Sequence, residues 1–314
     1  MKFITSIFPN TWKALIYSKK SISLISATII ESFVEVSIVI VLSQFGLFLS
    51  KNNNITLIIS FFSIYAIFTY ITLFRSKKYK CIVLYELEQK LSNSILSSML
   101  SIDKYKDYEH DDTCISLVDT GVMTFVGRGF SAFLDLIKQS LLCFIIVIFF
   151  AVKYTSAFIL FSPFLIVYIF LIKKNRKKMS KRSIAIAKGM RDSSKSSREI
   201  KLNKRDILLL NLEKIVLDDY SDNSKLWRTA AWQSTAESII PKITIESFSI
   251  FIFGIIISTT FFYEFKIYEL IAIGLGIYKV SSGLGGVARC FSIINSVEVI
   301  GQNIFSIINF KNLD

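Results

Sequence analysis

Histidine is almost missing from this chain: His110 stands alone among 314 residues. Glu109, Asp111 and Asp112 flank it, but side chains in immediate succession cannot all face one ion from a helix. No second ligand cluster joins them, which argues against a metal centre. The four cysteines, Cys81, Cys114, Cys143 and Cys290, are scattered without a C-x-x-C pair. Neither a disulfide framework nor a zinc site follows, and they read as small apolar fillers. No glycine is followed by lysine anywhere, so the phosphate-cradling G-x-x-x-x-G-K-[ST] loop is absent and the chain holds no ATPase machinery. No other catalytic constellation is present. Met1–Lys20 lacks a compact apolar core with a small-residue cleavage site, so the first apolar run is expected to stay as a membrane span.

What the chain has in abundance is apolar surface. Hydrophobic residues make up 52% and the mean hydropathy is +0.52, too apolar for an ordinary soluble domain of this size. The expected fold is an all-α membrane protein with six spans: Ile22–Leu49, Ile55–Phe74, Ile137–Val152, Ala157–Ile172, Ile243–Phe262 and Leu270–Ile294. Most reach the roughly 20 residues that cross a hydrocarbon core of about 30 Å. Three connections are short and nearly free of cations: Ser50–Asn54, the turn at Lys153–Tyr154, and Tyr263–Tyr268. Positive charge collects on the other side, at Lys13, Lys19 and Lys20, then Arg75, Lys77, Lys78 and Lys80, then Lys173–Arg205. The positive-inside rule makes that side cytoplasmic, together with both termini, as expected of a bacterial inner-membrane protein.

The last cluster sets the charge balance. From Lys173 to Arg205 fourteen Lys or Arg face only Asp192 and Glu199, a surplus of 12 against a chain total of +13. Orientation and contact with anionic membrane lipids account for such charge, at about 1 kcal/mol per basic residue near the surface. It is not read as a nucleic-acid site.

The two cytoplasmic connections, Arg75–Leu136 and Lys173–Ile240, look like neither loops nor separate domains. No Gly or Pro occurs between Gly46 and Gly121, so nothing stops the second helix as it leaves the membrane. Apolar residues continue at helical spacing through Leu84, Leu87, Leu91, Ile95, Met99 and Ile102, which predicts one helix over Ile55–Asp103, about 73 Å long. The fourth span likewise continues past Ile172 with a thinner stripe at Met179, Ile186 and Met190. A fifth helix is expected from near Arg205 through Trp227 and Trp232 to Pro241 and then into the membrane. The whole chain, 1–314, reads as one transmembrane domain. An amphipathic elbow (1–19) carries Trp12 at head-group level, spans 1–3 with their extension occupy 20–152, and spans 4–6 with theirs occupy 153–314.

The long helices turn around at two tips. One, Tyr105–Asp119, is acidic, and Asp111 and Asp112 suit the N-cap and first turn of a short helix at Thr113. The other, "REIKLNKRDILLLNLEKI" (198–215), sets a polar hinge before four consecutive aliphatic residues. A surface loop has no physical reason to carry such a run, so either the helical bundle buries it or a partner does.

Six spans, two long helical returns and a hinge of the form E-I-K-L-x-x-[KR]-[DE] resemble the transmembrane domain of ATP-binding-cassette exporters. "REIKLNKRD" is most similar to the branch that flips lipid-linked oligosaccharides. The resemblance implies a homo- or heterodimer of transmembrane domains driven by ATP and Mg on a partner nucleotide-binding ATPase subunit or domain, with no cofactor on this chain. It implies two short coupling helices as contacts, at Asp111, Asp112, Thr113, Cys114 and Ile115, and at Lys204, Arg205, Asp206, Ile207 and Leu208. Thr113 departs from the family pattern, which often has Gly there. The missing ATPase implies a separate subunit or a longer reading frame. A membrane scaffold, immunity or assembly protein derived from such a fold is the alternative.

Ionisable groups at bilayer depth cost roughly 2.5–3.5 kcal/mol each and mark candidate function. Glu31 and Glu35 share one helical face at i, i+4; Lys279 lies in the sixth span and Arg289 nearer the cytoplasm. By helical rise Glu31 and Glu35 stand about 16 and 22 Å above the inner surface and Lys279 about 20 Å below the outer one. Glu31, Glu35, Lys279 and Arg289 are expected to face a substrate cavity, with Glu31 and Lys279 paired.

Overall fold

The computed structural model describes residues 9–18, 20–51, 55–101, 114–155, 159, 181–182, 184–193, 195–263 and 267–310. No strand occurs among them. The helices are α1 (Pro9–Tyr17), α2 (Ser21–Lys51), α3 (Ile55–Ser101), α4 (114–153), α5 (helical residues 184–193 and 195–202), α6 (Lys204–Leu209), α7 (Glu213–Tyr263) and α8 (Ile267–Phe310). The fourth apolar run, Ala157–Ile172, falls outside the described residues except Ile159, and so do Asp111, Asp112 and Thr113.

Among the described residues three helices are long and apolar enough to cross a membrane, through Ser21–Val41, Val122–Lys153 and Ala272–Ile308. The expected runs Ile55–Phe74 and Ile243–Phe262 are helical within α3 and α7, although much of their side-chain detail lies outside the described residues. Ile64, Ile67, Phe68, Tyr70 and Phe74 project from α3 without cover, an apolar surface that water does not tolerate over several turns.

With nothing to break it, α3 runs unbroken for 47 residues, about 70 Å, and α7 for 51 residues, about 76 Å. Both exceed the roughly 40–45 Å of a bilayer with its head groups. On the lower half of α3 the buried stripe is Val83, Leu87, Leu91 and Ile95, each 2% exposed or less. The spacing of four places it on one face. Leu84 only flanks that stripe.

The third expected span, Ile137–Val152, lies within a longer helix, where the candidate span is Val122–Lys153. Leu117–Gly121 and Phe125–Phe130 are π-helical turns whose flanking residues keep helical dihedrals, so α4 continues through them. The fifth helix does not start near Arg205. α6 ends first, with Asn211 at φ 53°, Leu212 N–H donating to the Ile207 carbonyl at 3.0 Å and Asn211 N–H to that of Leu208 at 3.4 Å. This pair of bonds around a left-handed residue is a Schellman stop, and asparagine is the residue after glycine best suited to it. Past it, α7 runs straight through Pro241.

α8 is the hub. It packs on α7 and α4 most extensively, and on α2, α3 and α1. Gly276 of α8 lets the Phe150 ring lie directly against the backbone. Between α5 and α7, a Cβ on Gly189 would sit 3.2 Å from the backbone of Trp227, so only glycine permits that approach. The elbow docks rather than floats: α1 buries Asn10, Thr11, Ala14 and Leu15. Asn10 donates to Glu298 of α8 at 2.6 Å, and Lys90 of α3 donates to the Tyr17 carbonyl at 2.8 Å. Trp12 is half-buried against the core.

Candidate functional site

The strongest concentration of chemistry lies where α2, α3, α4 and α8 meet. α2 and α3 run antiparallel, shown by the Ser76 hydroxyl donating to the Ala27 carbonyl at 3.1 Å and the Tyr65–Ser37 hydroxyl pair at 2.6 Å. That register brings Ser76 and Lys80, one turn apart on α3, to Glu31 on α2. Ser76 donates to Glu31 Oε1 at 2.9 Å and Lys80 Nζ to Oε2 at 2.7 Å. From α4, Lys138 reaches both acids, Glu35 at 2.6 Å and Glu31 at 3.6 Å. Lys279 of α8 lies 3.6 Å from Glu35.

The result is a chain of alternating charge, Lys80, Glu31, Lys138, Glu35, Lys279, threaded between helices. Asp135 of α4 lies within electrostatic reach of Lys80 and Lys138. Side-chain exposure rises along it from 2% at Glu31 through 19% at Glu35 to 35% at Lys279, so one end is sealed and the other opens to the bundle surface. Charges in a low-dielectric interior persist only when paired and hydrogen-bonded, and each buried member here is.

Three of the four expected cavity residues therefore converge, with one change of partner. Lys279 faces Glu35 rather than Glu31, because Glu35 sits a turn further along α2, at the level where α8 presents its lysine. Glu31 is taken up by Ser76, Lys80 and Lys138. Arg289 is exposed about 15 Å further along α8 and stands apart from the chain. Sequence reading missed Lys80, counted among the cytoplasmic cations, and Lys138. Taking the third span to begin at Ile137 placed Lys138 at its edge. The signal available was "LDLIKQ", two opposite charges three residues apart inside an otherwise apolar helix.

The second tip is the other candidate. α6 buries none of its residues. Lys204, Arg205, Asp206 and Leu208 are exposed as a contact surface requires, while Ile207 and Leu212 turn inward beneath the Schellman bonds and are half-buried. Leu208, Leu209 and Leu210 are 51%, 69% and 65% exposed. At the first tip, Cys114 is fully buried because it belongs to the first packed turn of α4, so it offers nothing to a partner. Ile115 is half-buried.

No protein-family model matches this chain, and no curated protein is significantly similar to it in sequence. What defines the class is the architecture: an all-helical protein with at least three helices long and apolar enough to span a membrane.

Proposed function

We propose that this chain is the membrane-spanning subunit or portion of an ATP-driven exporter or flippase, coupled to a nucleotide-binding ATPase subunit or domain through the knuckle at α6. One observation carries the reading: the six-residue helix α6 stands between α5 and the long helix α7, and the three adjacent leucines at its end, Leu208, Leu209 and Leu210, stand out in solvent. The bundle does not bury them, which leaves a partner. Burying the exposed part of three leucines is worth about 3–5 kcal/mol, enough to change a dissociation constant by roughly a hundredfold to a few thousandfold.

In this reading two copies of the domain enclose the substrate path in the cytoplasmic membrane, with both termini inside the cell. The accessible end of the charge chain, Glu35 and Lys279, lines that path. Glu31 is a positioning group that fixes α2 on α3 and α4. ATP and Mg act on the partner, and α3 and α7 transmit its closure as rigid levers.

The test is a pull-down from native membranes of a tagged chain and its L208S/L209S/L210S variant. An ATPase subunit bearing a phosphate loop is expected with the former and lost from the latter, with membrane insertion intact. Recovery of no ATPase with the unaltered chain, or equal recovery with both, refutes the assignment.

A further inference from the structure

The charges around the α6 knuckle are sorted by sign. The segment closing α5 and opening α6 holds Lys201, Lys204 and Arg205 against Asp206 alone. The first turns of α7 hold Glu213, Asp218, Asp219 and Asp222 against Lys214 alone. All of these side chains are exposed. Asp219 accepts from the Ser196 hydroxyl of α5 at 3.4 Å, but among the described residues no ion pair links Lys201, Lys204 or Arg205 to the acids of α7. α5 and α7 pack antiparallel, since Gly189 meets Trp227 and Ser196 meets Asp219. The cationic and acidic groups therefore stand side by side at the tip, about one helix spacing of 8–10 Å apart. The bare leucines Leu208, Leu209 and Leu210 lie between them in the chain, and Leu202 and Ile215, 71% and 66% exposed, extend the apolar surface on either side.

The leucines need cover, and the sorted charges select what fits over them. Nucleic acid and anionic head groups suit the cations but are repelled by the acids beside them. Lipid is also out of reach, because Glu213 lies about 45 Å along α7 from Ile243, where the apolar run begins. A second copy anchored in the same bilayer stands beside this one with its tip pointing the same way, so the two tips do not face each other. A protein surface with an apolar pocket, carboxylates on one rim and Lys or Arg on the other, meets every requirement. We propose that the ATPase partner carries such a bipolar pocket, acidic where it meets α5 and basic where it meets the start of α7, and that these charges fix the direction in which it sits on the knuckle. The inference rests on the coupling role proposed for α6 and adds the partner's surface chemistry to it. Leucines in a pocket tolerate a half-turn of the partner, whereas opposed charges do not: after a half-turn acid faces acid and cation faces cation.

The experiment combines pull-down of the tagged full chain from native membranes with carbodiimide cross-linking, which joins a lysine amine directly to a carboxylate. K201E/K204E/R205E and E213K/D218K/D222K, whose altered side chains are exposed and leave packing intact, should each lower recovery of a phosphate-loop ATPase by about tenfold. K181E/K188E, which reverses two exposed lysines away from the knuckle, should retain it. Recovery with the unaltered chain should fall between about 50 and about 500 mM sodium chloride, over which the screening length drops to about a third. Cross-linked peptides should join Lys201 or Lys204 to an Asp or Glu of that ATPase, and Asp218 or Asp222 to one of its lysines. The bipolar pocket is overturned, and the ATPase reading left standing, by undiminished recovery of the ATPase with either reversal variant, by an equal loss in K181E/K188E, by recovery indifferent to salt, or by cross-links from Lys201 and Lys204 to carboxylates of this chain only. Recovery of no ATPase with the unaltered chain overturns both.

Discussion

Glu31→Gln offers the sharpest test of the charge chain. The carboxylate is 2% exposed and accepts from Lys80 at 2.7 Å and Ser76 at 2.9 Å. Removing its charge leaves Lys138 with Glu35 at 2.6 Å, but leaves Lys80, itself only 10% exposed, without its direct partner. Breaking a buried pair from one side costs about 3–5 kcal/mol. Asp135 remains within electrostatic reach of Lys80, so about 3 kcal/mol, the lower end, is expected. The double variant Glu31→Gln/Lys80→Met removes both charges and should recover to within about 1 kcal/mol of the starting stability, because a neutral pair of similar volume needs no counter-ion. Lys279→Met, at the exposed end and 3.6 Å from its acid, should cost under about 1 kcal/mol. Thermal unfolding of the four proteins in one detergent, followed by tryptophan fluorescence, measures the order. Equal losses in E31Q and K279M, or a double variant worse than E31Q, would refute the argument that one end of the chain is sealed and the other open.

Three further outcomes follow from local geometry. Gly189→Leu places atoms against the Trp227 backbone and should cost about 1–3 kcal/mol; it should also raise proteolysis between α5 and α7. Asn211→Val puts a β-branched residue at φ 53°, costing about 1–2 kcal/mol locally, and hydrogen exchange at Leu210–Leu212 should accelerate while Asn211→Gly leaves it near normal. The Lys20 ammonium is held above its usual pKa, chiefly by its hydrogen bond to Glu86. The stability that pair contributes is therefore present below the ordinary lysine pKa and lost only as pH rises past the raised value. Glu86→Gln should lower the Lys20 titration, read by side-chain NMR, and shift unfolding by the same small amount at pH 6 as at pH 8.

The long helices were legible because helix continuation is a local property. An uninterrupted stretch without Gly or Pro, with apolar residues every three or four positions, continues as helix whatever surrounds it. That logic predicted α3 through Ser101, the last residue described there, and flagged Glu31, Glu35 and Lys279 as ionisable groups that need partners. It failed at Asn211, where one left-handed residue and two hydrogen bonds end α6.

Which charge meets which was beyond any local rule. Pairing depends on the register of α2 against α3 and on the level at which α8 crosses them. A shift of one turn exchanges Glu31 for Glu35. The same holds for the leucines at α6. The sequence determined that the chain is helical and apolar and that its cations fall in a few clusters, since these follow from residue type and spacing. Only the tertiary structure decided that Lys80 and Lys138 belong to the charge chain and that the leucines stay uncovered. Burial and partnership are relations between segments far apart in the chain, and no single segment encodes them.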